Sequence, residues 1–127
     1  MVEEKKTILL VEDNFFNRKV SIGMLQKLKY QVEEATHGAM GLEMAQDKKY
    51  YFILMDIYMP RMDGYTVSYN IKNGDGPNKN TPIIAMTAVE SRSSCCDDAG
   101  MDGFISKPVM LTRLSGEISR VLELKLR

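Results

Sequence analysis

Short apolar runs alternate with longer stretches of helical periodicity along this chain, and each run ends at a polar or glycine-rich segment. The run at residues 52–55 is apolar at every position and the run at 7–11 at every position after Thr7, which is typical of strands covered on both faces. Five strands are predicted in all, at residues 7–11, 31–35, 52–55, 82–87 and 103–105.

Segments with helical spacing separate these strands and follow the last one. The final segment gives the clearest pattern, because its apolar side chains recur about every 3.6 residues. The predicted helices are residues 14–28, a helix from a Thr36 cap to about residue 47, one marked by Val67 and Ile71 that ends near residue 73, a weak one at 91–99 that ends at Gly100, and residues 111–122.

Strands that alternate with helices through short loops predict an α/β fold with a parallel sheet. We expect a three-layer α/β/α sandwich of the doubly wound, flavodoxin-like type, with strand order 2-1-3-4-5. A ligand site is then expected outside the carboxyl ends of strands one and three. No repeat or linker interrupts the pattern, so residues 1–127 are interpreted as one domain.

Composition narrows the function classes. The chain has 17 Lys and Arg against 17 Asp and Glu, so a surface for nucleic acid or anionic membrane is not expected. No apolar run approaches the roughly 20 residues of a spanning helix, and we expect a cytoplasmic location. The adjacent Cys95 and Cys96 lack metal-ligand spacing and are interpreted as reduced thiols.

Polar side chains that can carry chemistry stand at the ends of the predicted strands. Glu12 and Asp13 end the first strand, Asp56 the third and Thr87 the fourth, and Lys107 follows the fifth. Parallel strands end at one edge, so three carboxylates should converge beside a hydroxyl and an ammonium. Close carboxylates repel one another unless a cation neutralises them, and oxygen ligands suit Mg²⁺.

Some of these residues also have plain structural explanations. Glu12 and Asp13 could simply cap the helix that follows, Thr87 could be an ordinary strand residue, and Lys107 a solvated loop residue. Asp56 is harder to explain, because it follows an apolar strand and precedes a loop, not a helix. A buried carboxylate without a partner costs several kcal/mol, which favours a functional role.

That role could be nucleophilic, since Asp carboxylates accept phosphoryl groups as mixed anhydrides. The reaction needs a metal, hydrogen-bond donors and a cation for the phosphoryl oxygens. Asp13 and Asp56 can hold the metal, Thr87 can donate a hydroxyl, and Lys107 can reach a phosphoryl oxygen. The bond between Lys107 and Pro108 is a candidate for the cis form, which would aim the lysine inward.

Five motifs lie at or shortly after the ends of the first, third, fourth and fifth predicted strands: Val11-Glu12-Asp13-Asn14, Met55-Asp56-Ile57-Tyr58-Met59-Pro60, Met62-Asp63-Gly64, Met86-Thr87-Ala88 and Ser106-Lys107-Pro108. In this order they resemble the receiver domain of two-component response regulators over nearly the whole chain. The resemblance implies that Asp56 is the phosphoacceptor, that Asp13 is the principal Mg²⁺ ligand, and that Glu12 assists through water. It also implies a metal contact from the backbone carbonyl of Tyr58 and a phosphate-pairing role for Lys107.

The same resemblance implies a conformational switch. Thr87 is similar to the switch hydroxyl and Phe104 to the switch aromatic of the family, although Phe104 could equally be core filler. Phosphorylation would then change the surface formed by the fourth predicted helix, the fifth strand and the last helix. Asn14, Asn17 and residues 99–104 resemble the receivers of hybrid sensor kinases.

A partner must bring the phosphoryl group, because the only histidine, His37, is interpreted as a loop residue and not as a phosphodonor. The expected partner is a sensor histidine kinase or a histidine phosphotransfer protein. The domain would control an output or pass the group on, and it would not turn over a substrate as an enzyme does. It could act alone or as a piece of a longer protein with a linked kinase or output domain.

Three alternatives remain at this point. A haloacid-dehalogenase-like phosphohydrolase would need a second acid two residues after Asp56, where this chain has Tyr58. A flavin-binding module would bind its cofactor phosphate in the loop after the first strand, where the carboxylates of Glu12 and Asp13 would repel that phosphate. A degenerate receiver would serve only as an interaction surface, which the complete set of site residues disfavours.

Overall fold

The computed structural model describes residues 6–88 and 97–125. A single parallel sheet of five strands in the order β2-β1-β3-β4-β5 forms its centre, as predicted. The strands are β1 (Thr7–Val11), β2 (Gln31–Ala35), β3 (Ile53–Asp56), β4 (Ile83–Thr87) and β5 (Gly103–Ser106).

Helices cover both faces of the sheet, which confirms the three-layer α/β/α sandwich. We label those with described bounds α1 (Phe15–Lys27), α2 (Gly38–Asp47), α3 (Gly64–Asn73) and α4 (Leu111–Lys125). The helix expected at 91–99 lies mostly outside the described residues, as do Cys95 and Cys96. Gly100 has a φ of 78°, and its amide donates to the carbonyl of Asp97, so the expected left-handed glycine is present.

The three central strands β1, β3 and β4 bury side chains on both faces, which explains why their sequences are apolar without alternation. Alternate residues of β1 divide between two clusters: Leu9 and Val11 pack on the side of α2 and α3, and Ile8 and Leu10 on the side of α1 and α4. Within the described parts of the chain, no helix is long and apolar enough to cross a bilayer.

The inward face of α1 is not a purely apolar stripe. Val20 is 41% exposed, whereas Arg18 and Ser21 are buried together with Leu25. These two polar side chains have partners inside: the guanidinium of Arg18 donates to a loop carbonyl, and the Ser21 hydroxyl lies 4.0 Å from the sulfur of Met86. The helix therefore turns a partly polar face towards the sheet.

The start of α2 also differs from the prediction. The N-cap is His37, not Thr36, because the Nδ1 atom of His37 accepts the amide of Met40 at 3.2 Å. A histidine side chain thus does here what a hydroxyl was expected to do. The interpretation of His37 as a residue outside the helix is confirmed.

The segment between α3 and β4 is less exposed than its composition indicates, because Asn78 and Thr81 are buried. The Oδ1 atom of Asn78 accepts the amide of Tyr50 and the hydroxyl of Thr81, each at 2.9 Å. Its Nδ2 atom donates to the carbonyls of Ala45 and Lys48. One amide side chain therefore ties this loop to the end of α2 and the entrance of β3.

Candidate functional site

The carboxyl ends of four strands carry the residues singled out from the sequence. Glu12 follows β1 directly, Asp56 is the last residue of β3, and Thr87 is the last residue of β4. Asp56 was expected just after its strand; it instead completes the strand, paired with Met86. Lys107 follows β5, and its amide donates to the carbonyl of Thr87 at 2.7 Å. The shared direction of the strands brings these residues to one edge of the sheet.

Three carboxyl groups meet at this edge. Glu12, Asp13 and Asp56 each offer one oxygen, and these three oxygens all lie within 4.8 Å of one another. Glu12 and Asp56 are each only 1% exposed, so bulk water does little to screen their repulsion. This arrangement requires a nearby positive charge or a bound proton.

Lys107 supplies one positive charge. Its Nζ atom lies 2.8 Å from Oδ1 of Asp56 and 3.3 Å from Oε1 of Glu12. Burial of the ammonium lowers its pKa, but the hydrogen bond and charge of Asp56, together with Glu12, outweigh this and leave the pKa of Lys107 above its usual value. The peptide bond between Lys107 and Pro108 is cis, the form for which the sequence made it a candidate.

A single lysine does not balance three carboxylates, and Glu12 shows the remaining imbalance. Burial, followed by the hydrogen bond and negative charge of Asp56, raises the pKa of Glu12 from 4.5 to about 7. The charge of Lys107 and the amide of Asn14 act in the opposite direction and do not cancel the rise. Near neutral pH Glu12 therefore tends to bind a proton. A divalent cation bound by the three carboxylate oxygens would neutralise the same negative charge.

Loop and cap contacts hold the acidic pair in place. The Asn14 side chain caps α1 by accepting the amide of Asn17 at 2.8 Å, and the Asn14 amide donates to Oε2 of Glu12 at 3.2 Å. On the other side of the site, the backbone around Asp56 is close to the start of α3. A Cβ atom on Gly64 would collide with the carbonyl oxygen of Asp56, so glycine is required for this approach.

The remaining predicted residues have different surroundings. Thr87 is buried at 2% exposure, at the same edge as Asp56. Phe104 is partly buried against the cluster under α2 and α3, and its amide donates to Glu117 of α4 at 2.9 Å. The Tyr58 side chain is 63% exposed, as expected for a residue whose side chain has no role in the site, and the metal contact of its carbonyl stays a prediction.

A cleft of about 410 Å³ lies beside the site between α1 and the segment after β5. Glu12 and Lys107 line its polar part, and Phe16, Val20 and Val109 line its apolar part. The cleft therefore borders the acidic cluster at Glu12 and Lys107.

The sequence pattern missed one site-associated residue, Arg18. It is 7% exposed and donates to the Glu12 carbonyl at 3.0 Å and to the Glu34 carboxylate at 2.9 Å. A usable signal was present, because Arg18 shares the i, i+3, i+7 face of Ser21 and Leu25. A search for apolar periodicity alone does not predict that an arginine is buried on such a face.

Comparison with known proteins identifies the family of this chain. The family model for the response regulator receiver domain matches residues 8–119. The hybrid signal transduction protein dokA of Dictyostelium discoideum is 39% identical over 117 residues, which covers 92% of this chain and 7% of that protein. Histidine protein kinase 1 of Candida albicans is 36% identical over 128 residues, or 91% of this chain and 5% of that protein.

Solved structures show the same fold. The receiver domain of the sensor histidine kinase PA1611 from Pseudomonas aeruginosa PAO1, with a magnesium ion coordinated in its active-site cleft, has a TM-score of 0.85 and 33% identity, covering 94% of this chain and 99% of that one. The chemotaxis protein CheY4 of Vibrio cholerae has a TM-score of 0.86 and 28% identity, covering 93% of this chain and 99% of that one. These matches confirm the resemblance carried by the five motifs. The chain belongs to the response regulator receiver domain family.

Proposed function

We propose that this domain, comprising residues 1–127, accepts a phosphoryl group on Asp56 from a phosphohistidine of a partner protein in a Mg²⁺-dependent reaction. The observation that carries the proposal is the contact of 2.8 Å between the Lys107 ammonium and Asp56, inside a cluster of three carboxylates. A buried carboxylate with a cation on one side and further oxygen ligands beside it is suited to phosphoryl transfer.

The residues present fit a magnesium ion. Glu12, Asp13 and Asp56 offer converging oxygens, and we assign Asp13 as the principal ligand, Glu12 as a ligand through water, and the Tyr58 carbonyl as a further ligand. When bound, Mg²⁺ supplies positive charge that neutralises carboxylate and phosphoryl oxygens. The raised pKa of Glu12 supports this assignment, since burial and then the hydrogen bond and negative charge of Asp56 raise it by more than Lys107 lowers it.

The chain's own residues then define the chemical step. A carboxylate oxygen of Asp56 forms a bond to phosphorus, the P–N bond to the partner's histidine breaks, and the imidazole nitrogen keeps the electron pair. Lys107, already hydrogen-bonded to Asp56, donates to an oxygen of the transferred group. The Thr87 hydroxyl donates to another. Hydrolysis of the mixed anhydride returns the carboxylate.

The transferred group would also bias a switch. It adds up to about two negative charges and three strong acceptors at a buried position. Movement of Thr87 towards it would open space for Phe104, which is only partly buried against its cluster. Because the Phe104 amide is bonded to Glu117, such a movement would reach α4. The proposed switched surface also includes the helix predicted at 91–99, most of which lies outside the described residues.

The partners proposed are a sensor histidine kinase or a histidine phosphotransfer protein, and the switched surface would control an output or precede transfer of the group onwards. We propose that this phosphoryl transfer takes place in the cytoplasm, where ATP provides the phosphoryl group to the kinase. Family membership selects this interpretation over the phosphohydrolase and flavin alternatives, because receiver domains are phosphoacceptor signalling domains.

The test is transfer of labelled phosphate from a phosphohistidine protein. Asp56→Asn should abolish hydroxylamine-labile label because amide nitrogen is a poor nucleophile and forms no acyl phosphate. Asp75→Asn, the same change on an exposed loop, is the control and should be labelled like the natural protein. If Asp56→Asn were labelled as strongly as the natural protein, Asp56 would not be the phosphoacceptor. If EDTA did not diminish labelling, the proposed requirement for Mg²⁺ would be refuted.

A further inference from the structure

Arg18 connects the backbone of the acidic pair to strand β2. We propose that Arg18 is a positioning residue for the Mg²⁺ site, which holds the loop after β1 in the geometry that brings the carboxylates together. The proposal rests on the function proposed above and adds a residue that donates no ligand to the ion.

The contacts of Arg18 are specific to a guanidinium. Its Nη1 atom donates to the carbonyl oxygen of Glu12 at 3.0 Å and lies 3.5 Å from that of Asp13. Its Nε atom donates to the carboxylate of Glu34 at 2.9 Å. The planar, rigid guanidinium fixes the distance between the loop and β2, which a flexible ammonium does not do.

The surroundings of Arg18 restrain it from both sides. Its own amide donates at 2.9 Å to the carbonyl of Asn14, the N-cap of α1, so the helix sets its position. The Phe15 ring covers the guanidinium at 5.6 Å from the ring centroid. With the side chain 9% exposed, the contacts to the loop are protected from water and from exchange with other partners.

The loop needs such a restraint because the carboxylates repel one another. Glu12 and Asp56 are buried, and when both are ionised their repulsion favours movement of the loop away from β3 unless the backbone resists. The amide of Glu12 is held by the Ala35 carbonyl at 3.1 Å, and Arg18 holds its carbonyl. Both ties lead to the end of β2. Losing one of them should let the loop relax and should raise the cost of assembling the ligands.

The test compares Mg²⁺ binding by isothermal titration calorimetry in folded variants of the full chain. Arg18→Gln and Arg18→Lys should each weaken Mg²⁺ binding by about tenfold, the size expected when a partner behind the ligands is lost. Lys19→Gln is the matched control: its ammonium pairs with the same Glu34 at 3.7 Å but is half exposed, and its loss changes the net charge as Arg18→Gln does. It should bind within twofold of the natural protein.

A second readout separates positioning from general stability. In magnesium-free protein, hydrogen exchange at residues 12–14 should accelerate in Arg18→Lys, whereas exchange in β3 should not change. Glu34→Gln, which leaves Arg18 in place but weakens its anchor, should shift Mg²⁺ affinity in the same direction by a smaller factor. If Arg18→Gln does not fold, the Arg18→Lys and Glu34→Gln variants still decide.

The outcomes are distinguishable from failure of the site itself. No Mg²⁺ binding by the natural protein, or equal binding by Asp13→Asn, would overturn the proposed metal site. Normal binding by the natural protein together with unchanged affinity and exchange in the Arg18 variants would overturn the role of Arg18 alone.

Discussion

Replacing Glu12 by glutamine should remove a pH dependence of folding that originates in the acidic cluster. The pKa of Glu12 is about 7 in the folded protein against an ordinary value of 4.5. Between these values the folded protein keeps a proton that the unfolded chain releases, so stability falls as the pH rises. The stabilisation is fully present below pH 4.5 and is lost by about pH 7.

The size of the effect follows from the same two values. Each unit of pKa difference corresponds to about 1.4 kcal/mol, so Glu12 costs the magnesium-free protein up to about 3 kcal/mol of unfolding free energy by pH 8. Glutamine resembles the protonated carboxyl group at every pH. Glu12→Gln should therefore equal the natural protein near pH 4.5 and exceed it in stability at pH 8 when no divalent ion is present.

Urea unfolding in EDTA at a series of pH values between 5 and 8 measures this difference. Glu43→Gln, a change at an exposed carboxyl group, is the control and should keep the pH dependence of the natural protein. Added Mg²⁺ should raise the stability of the natural protein most at high pH, because the ion replaces the proton. Parallel curves for the natural protein and Glu12→Gln would refute the electrostatic reasoning.

Two further predictions concern the framework of the site. Asn78→Ala should lower the unfolding free energy by about 2–4 kcal/mol, because it leaves the buried backbone amide of Tyr50 without its acceptor. Asn80→Ala, at an exposed position, should change the unfolding free energy little. An equal effect of both substitutions in urea unfolding would contradict the hydrogen bonds assigned to Asn78. Gly64→Ala should lower the unfolding free energy by at least about 1 kcal/mol and slow phosphorylation, because its Cβ atom meets the Asp56 carbonyl, whereas Gly23→Ala, with open space around it, should stabilise α1 by about 0.5–1 kcal/mol. Thermal unfolding and labelling rates measure both effects. Unchanged stability and labelling in Gly64→Ala would refute the close approach of Gly64 to Asp56.

The centre of the sheet was predictable because β1, β3 and β4 are buried on both faces. Apolar runs such as residues 52–55 leave few alternatives to a central strand, and 2-1-3-4-5 is one of the two common strand orders of doubly wound sheets. The approach of Glu12, Asp56 and Lys107 followed from the same rule, since parallel strands end at a common edge. These features depend on local pattern and topology, which a sequence contains.

The differences arise where a polar side chain meets a specific hydrogen-bond partner. Arg18 occupies an inward helical position because a loop carbonyl and Glu34 receive it, and Asn78 is buried because α2 and β3 offer groups to its amide. His37 caps α2 because its ring nitrogen faces the Met40 amide. Hydrophobic periodicity treats all three as surface residues, since it contains no information about which backbone groups lie opposite.

The central claim is that Asp56 receives the phosphoryl group, and mapping the modified residue tests it most directly. The protein would be treated with a phosphohistidine donor in Mg²⁺, reduced with borohydride to convert an acyl phosphate into homoserine, digested, and sequenced by mass spectrometry. We predict homoserine at position 56 only, and its disappearance in EDTA. Homoserine at another carboxyl residue, or phosphate retained on His37, would contradict the proposed function.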